Sequence, residues 1–125
     1  MINARNILLV LVGSAVGGLM RFITSYLIQQ KIGARFPTGT FAVNLIGCFL
    51  IGMIFSLAAK NAQGSDDLKL LLATGFCGGF TTFSAFAIEN MELFKSGNNL
   101  TALTYILLSV TLGIIATFAG TLMFK

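Results

Sequence analysis

The sequence contains no histidine and no tryptophan, a single proline and only four acidic residues among 125. Without histidine, the chain lacks the side chain that most often serves as a general base near neutral pH and as a metal ligand. Its two cysteines, Cys48 and Cys77, fall inside apolar segments, where we expect them to pack as small side chains rather than form a metal site. No nucleophile–base pair and no phosphate-binding loop can be found. The sequence therefore argues against an enzyme.

Charged residues make up only 10% of the chain, whereas a soluble domain usually carries about a quarter. Hydrophobic residues make up 56%, and the mean hydropathy is +0.91. Four apolar segments, near residues 7–29, 39–59, 68–94 and 100–124, each reach the ~20 residues needed to cross a bilayer core of ~30 Å. We therefore predict an all-α integral membrane protein, with residues 1–125 forming a single transmembrane domain within the lipid bilayer.

The eight basic residues give a net charge of +4 but are spread over loops and chain ends, so they form no nucleic-acid-binding patch. With four spans, one side of the membrane carries Arg5, Lys60, Lys69 and Lys125, and the other carries Lys31, Arg35 and Lys95. The Lys/Arg bias normally sets orientation. So small a bias fits insertion in both orientations, which an antiparallel dimer requires. It fits equally well an ordinary protein with a weak topology signal.

Polar side chains inside the spans are costly and are therefore functional candidates. Arg21 lies past the midplane of the first segment, which also argues against a cleaved signal peptide there. Its charge either snorkels to a headgroup or faces a water-filled cavity, and the lack of acidic residues before Asp66 favours the cavity. Asn44 either bridges two helices or faces a solvated pathway. Gly13 and Gly17 predict close helix packing.

The fourth segment repeats a small or polar residue at every fourth position. These residues are Thr101, Tyr105, Ser109, Gly113 and Thr117. Residues at this spacing stack on one helix face, so their hydroxyls form a track that lacks a group at Gly113. Hydroxyl residues also serve as neutral packing residues in membrane helices. The five-member register with its tyrosine favours the lining of a pathway.

The third segment contains GFCGGFTTFSAF at residues 75–86. We predict a helix break at residues 77–79, with Thr81 or Thr82 capping a restarted helix. Such a break persists at membrane depth only when it is buried in protein or lines a cavity. It offers carbonyl groups to a cation and amide groups to an anion. Phe83 and Phe86 then share one helix face, either as ordinary lipid or core contacts or with ring edges that attract an anion weakly.

These motifs together resemble the Fluc (CrcB) family of bacterial fluoride channels. The resemblance is carried by GGLMRF, PTGTFAVNLIGCFLIG, GFCGGFTTFSAFAIE and the hydroxyl face of the fourth segment, and it extends over the whole chain. It implies an antiparallel, dual-topology homodimer of four-helix subunits with a break in the third helix. It also implies two pores that export toxic fluoride passively across the bacterial inner membrane, and a structural Na⁺ at the dimer centre.

The resemblance also assigns roles to individual residues. Phe83, Phe86 and Asn44 match the pore phenylalanines and asparagine, and Arg21 matches an arginine near the aqueous vestibule. Further matches are Thr82 and Ser84, whose individual roles are less defined, and the fourth-span residues Tyr105, Ser109 and Thr117. Backbone carbonyls at Gly78 and Thr81 match the sodium ligands. Gly113 stands where some relatives carry a hydroxyl.

Two other functions compete with this interpretation. A small four-helix multidrug or cation transporter needs an intramembrane carboxylate, usually in the first span, and the first two spans contain none. A membrane scaffold protein without transport activity would leave the hydroxyl track and Arg21 unexplained.

Overall fold

The computed structural model describes residues 2–61 and 63–125, and every regular element in those residues is helical. The elements are α1 (Ala4–Ile32), α2 (Thr38–Lys60), α3 (Ser65–Leu68), a π-helical segment (Lys69–Cys77), α4 (Gly78–Phe80), α5 (Phe83–Lys95), α6 (Asn99–Thr121) and a 3₁₀ turn (Leu122–Phe124). They form four helical stretches long and apolar enough to cross a membrane, namely Ala4–Ile32, Thr38–Lys60, Ser65–Lys95 and Asn99–Phe124. Each of the four predicted segments lies within one of these helical stretches.

The ends of α1 are set by local signals in the sequence. Asn3 caps the first turn, because its side-chain oxygen accepts a hydrogen bond from the amide of Asn6 at 2.9 Å. Gly33 follows the last turn with a φ of 61°, a left-handed conformation that glycine adopts without steric cost. These caps extend α1 three residues beyond the predicted span at each end.

The helices pack through glycines. The broadest contacts join α2 to α6 and α1 to the π-helical segment. A side chain at Gly13 or Gly17 would collide with the backbone of that segment, at Leu71 and Phe76 respectively. The close packing predicted from the Gly13–Gly17 spacing is therefore confirmed, and its partner is the first half of the third span.

A short loop between α1 and α2 is held together by Gln29. Its side-chain oxygen accepts hydrogen bonds from the amide of Gly39 at 3.1 Å and the hydroxyl of Thr38 at 3.3 Å. Its amide group donates to the carbonyl of Ala34 at 3.0 Å. Gln29 thus satisfies free amides at the start of α2 and fixes the loop that carries Phe36.

The third span is broken, but the predicted position of the break at residues 77–79 is wrong. The helix continues through Phe80, and the extended residues are Thr81 and Thr82. The glycine stretch serves packing instead, because a Cβ at Gly79 would lie only 2.6 Å from the carbonyl oxygen of Ser14. The nine-residue π-helix that precedes the break was not predicted, and π-helical turns are frequent at functional sites.

Candidate ion pathway

The break in the third span is closed by a side chain from α2. Asn44 donates from Nδ2 to the carbonyl oxygen of Thr82 at 3.1 Å, and its Oδ1 accepts from the amide of Thr82 at 2.8 Å. Both backbone groups would otherwise lie unpaired at membrane depth, where each costs a few kcal/mol. Of the two interpretations offered for Asn44, the structure supports the bridge between helices.

Thr81 and Thr82 form further hydrogen bonds with residues on either side of the break. Thr82 caps α5, because its hydroxyl oxygen accepts from the amide of Ala85 at 3.2 Å, and it lies 3.4 Å from the hydroxyl of Ser84. Thr81 donates from its hydroxyl to the carbonyl of Cys77 at 2.8 Å. The prediction that a threonine caps the restarted helix is confirmed for Thr82.

Arg21 reaches the break from α1. It is half-buried, and its Nε donates to the carbonyl oxygen of Gly79 at 3.0 Å. This carbonyl belongs to the carboxyl-terminal end of the first half-helix, where the partial charge is negative and a cation is favourable. The sequence marked Arg21 as a candidate but gave no indication of this partner.

The pore-type phenylalanines lie just after the break. Phe83 is 79% exposed, and its ring centroid lies 5.6 Å from that of Phe86 with the planes tilted by 43°. Phe86 in turn meets the ring of Tyr105 edge-to-face at 4.9 Å. The two rings that the sequence placed on one helix face are thus in contact.

Tyr105 is fully buried, and it contacts Glu89, a residue to which the sequence analysis assigned no role. Its hydroxyl donates to Glu89 Oε1 at 2.9 Å, and the hydroxyl of Thr40 donates to Glu89 Oε2 at 2.6 Å. The rings of Phe36 and Phe41 face Tyr105 from the other sides, with centroids 5.1 and 6.3 Å away. Thr40 precedes Asn44 by one helical turn, and this spacing could have identified Thr40 as a candidate site residue.

The remaining members of the fourth-span track have different surroundings. The Ser109 hydroxyl is buried and has no hydrogen-bond partner among the described residues. Thr117 donates from its hydroxyl to the carbonyl of Gly113 in its own helix at 3.0 Å. Gly113 is buried, and Thr101 is half-buried. Within this track, Ser109 thus holds a buried hydroxyl that has no partner among the described residues and with which a ligand can still pair.

A cavity of about 330 Å³ joins several of these groups. Its walls include five residues of the predicted pathway, namely Asn44, Thr82, Phe83, Phe86 and Ser109, together with Cys48 and Cys77. A second cavity of about 330 Å³ lies around Gln29, Arg35, Glu89 and Glu92. The chain of contacts from Phe86 through Tyr105 to Glu89 leads from the first cavity to the second.

Comparison with known proteins gives a family match and several named relatives. Residues 8–121 match the family described as CrcB-like protein, Camphor Resistance (CrcB). A protein of Azobacteroides pseudotrichonymphae genomovar. CFP2 is 42% identical over 116 residues, 93% of each chain. One of Flavobacterium psychrophilum is 41% identical over 121 residues, 97% of this chain and 98% of the relative. One of Rhizobium etli is 45% identical over 113 residues, 90% of each. All three carry the name fluoride-specific ion channel FluC.

Proposed function

The chain belongs to the CrcB family, and on that premise we propose that it is a fluoride-selective channel that lets fluoride leave the bacterial cytoplasm passively across the inner membrane. The family consists of ion channels and not of enzymes. The observation that carries the proposal is the cavity in which Phe83, Phe86, Asn44, Thr82 and Ser109 come together.

The chemistry of this cavity suits a small anion. Aromatic ring edges carry partial positive charge and hold an anion only weakly, as conduction requires. The Ser109 hydroxyl has a donor without a partner among the described residues, so it can donate to a passing ion. From there an ion would pass the Phe86–Tyr105 contact toward the second cavity, where Arg35 supplies a positive charge. Arg21 and Thr117 do not line either cavity, and we assign them supporting positions along the pathway.

The working unit that we propose is an antiparallel, dual-topology homodimer with two pores. A single chain leaves Phe83 79% exposed, which is unusual for a residue that would control an ion path. A second copy packed against this face would enclose the ring. The near balance of basic residues on the two sides of the membrane is compatible with insertion in both orientations.

A structural Na⁺ at the centre of this dimer would be held by backbone carbonyls of Gly78 and Thr81. In a continuous helix the amide of Thr82 would donate to the carbonyl of Gly78, but here it donates to Asn44, so the Gly78 oxygen loses its usual partner. Carbonyl oxygens suit hard cations, and two copies would contribute four. Gly78 is also exposed, and outside its own helical turn the nearest atom to an added Cβ is the Ala73 oxygen at 3.9 Å. When bound, the ion would supply positive charge against these carbonyl dipoles.

Replacing all Na⁺ by N-methylglucamine at equal ionic strength is expected to reduce fluoride flux at least tenfold, because the dimer would lose the ion that joins its two copies. A loss of ~1.4 kcal/mol in the free energy of dimer association already corresponds to that factor. The dimer fraction measured by size-exclusion chromatography should fall in parallel. An unchanged flux and an unchanged elution profile would contradict the sodium site.

The function itself is tested by fluoride efflux from proteoliposomes, recorded with a fluoride electrode. Efflux is expected as soon as valinomycin allows K⁺ to compensate the charge, with no imposed proton gradient, because a channel needs only the fluoride gradient. Efflux that requires a proton gradient, or export of a cationic dye in place of fluoride, would instead indicate a transporter.

A further inference from the structure

The cavity beside the break contains both cysteines of the chain. Cys48 lies on α2 one turn after Asn44, and Cys77 is the last residue of the π-helical segment. Both thiols are free. The fold thus brings two soft, polarisable sulfur ligands from different helices to one cavity.

Two residues of α6 leave space beside Cys48 and in the cavity. A Cβ at Gly113 would lie 3.5 Å from the Cys48 sulfur, so a longer side chain at this position would crowd the thiol. Ser109, one turn earlier on the same helix, places its unpartnered hydroxyl in the same cavity. A buried polar atom without a partner normally has an explanation, such as a bound water or ion. Ser109 thus leaves one hydroxyl in this cavity that an occupant could pair with.

We propose that Cys48 and Cys77 together bind one thiophilic, two-coordinate metal ion of the Hg²⁺ class, and that this ion closes the pathway. Groups of three or more His, Cys, Asp or Glu that could hold a metal do not occur among residues 2–61 and 63–125, so these side chains offer no tetrahedral or octahedral set there. Two thiolates alone satisfy a soft ion that prefers two sulfur ligands.

The binding step is a simple ligand exchange. Each thiol releases its proton to water, two sulfur–mercury bonds form, and no electrons are transferred. The product is neutral, because two thiolate charges balance the divalent ion. It fixes both sulfur atoms across the cavity beside Asn44 and Phe86, which obstructs the route that an anion would take.

Binding is tested on the purified protein in detergent, titrated with mercuric nitrate while the ultraviolet absorption of the sulfur–mercury bond is recorded. We expect an end point of one Hg²⁺ per chain. In competition with glutathione, the unchanged protein should retain the ion at least about tenfold better than Cys48→Ser or Cys77→Ser, because the second thiol acts at a high effective concentration. An end point of two ions per chain, equal retention by the variants, or mercury-linked chains on a denaturing gel would overturn the shared site.

The effect on transport rests on the proposed function and is measured separately. Fluoride efflux is recorded with and without mercuric nitrate, and the inhibition is expressed relative to each protein's own uninhibited rate. We expect at least about tenfold inhibition of the unchanged protein and loss of most of that inhibition in either single variant, with Cys48→Ser/Cys77→Ser giving the non-specific background. Mercury binding without inhibition would overturn the placement of the thiols on the pathway. Absence of fluoride efflux before any mercury is added would contradict the proposed function, and the titration would still test the thiol site.

Discussion

Replacing Asn44 by alanine is expected to reduce fluoride flux by at least about tenfold. The substitution removes both hydrogen bonds to Thr82 and leaves an amide and a carbonyl of the break unpaired. Each unpaired buried group costs about 1–3 kcal/mol, and ~1.4 kcal/mol already corresponds to a factor of ten. Because a helix break in the membrane tolerates few unpaired groups, we expect the break to rearrange and the cavity beside it to lose its shape. The measurement is the initial rate of fluoride efflux from proteoliposomes.

Asn61→Ala provides the matched control for this substitution. Asn61 directly follows the last residue of α2 and is exposed. Among the described residues its hydrogen bonds go to the carbonyl oxygen of Leu57, one turn earlier. Its replacement is expected to leave the flux within twofold of the unchanged protein. A third variant, Asn44→Asp, keeps an oxygen for the Thr82 amide but loses the donor, and it should be as inactive as the alanine variant. Full flux in Asn44→Ala would show that the break does not depend on this bridge.

Replacing Phe86 by isoleucine is expected to lower fluoride flux by at least about tenfold while the proposed dimer remains intact. Isoleucine preserves much of the apolar volume but has no ring quadrupole, so the partial positive edge that attracts an anion is lost. The edge-to-face contact with Tyr105 at 4.9 Å is lost as well, which costs ~0.5–1.5 kcal/mol beyond the area buried. Flux is measured as above, and assembly by size-exclusion chromatography. Phe83→Ile should act in the same direction.

The control for the aromatic residues is Phe118→Ile on α6. Phe118 is 68% exposed and lies outside both cavities, so it has the character of a lipid-facing residue. Its replacement should leave the flux unchanged within a factor of two. Normal flux in both Phe86→Ile and Phe83→Ile would remove the aromatic rings from the mechanism, whereas reduced flux with a dissociated dimer would assign them to assembly.

The four spans could be predicted from the sequence because hydropathy over about 20 residues depends only on the local composition. The position of the break could not be predicted, because a glycine either ends a helix or allows close packing, and the local sequence is the same in both cases. Gly79 allows a close approach to Ser14, and the helix passes through it. What ends the helix is the pairing of Thr82 with Asn44, 38 residues away in the chain, and such a contact leaves no local signal.

The same difference between local patterns and distant contacts decides which parts of the candidate site could be predicted. Phe83, Phe86 and Ser109 carry local patterns, namely a helix-face spacing and a four-residue register, and the structure brings them to one cavity. The partners of Tyr105 are distant in sequence: Thr40 comes from α2 and Glu89 from α5, so only the fold joins them. The hydroxyl of Thr117 bonds back to its own helix, which periodicity alone does not reveal.

The most direct test of the account compares fluoride with chloride in the same proteoliposomes, using ion-selective electrodes and identical gradients. The proposed pathway combines the rings of Phe83 and Phe86 with the Ser109 hydroxyl at one cavity, and we propose that these groups select the smaller anion. The account predicts rapid fluoride efflux with chloride efflux at the level of protein-free liposomes. Equal rates for the two anions, or chloride efflux without fluoride efflux, would contradict it.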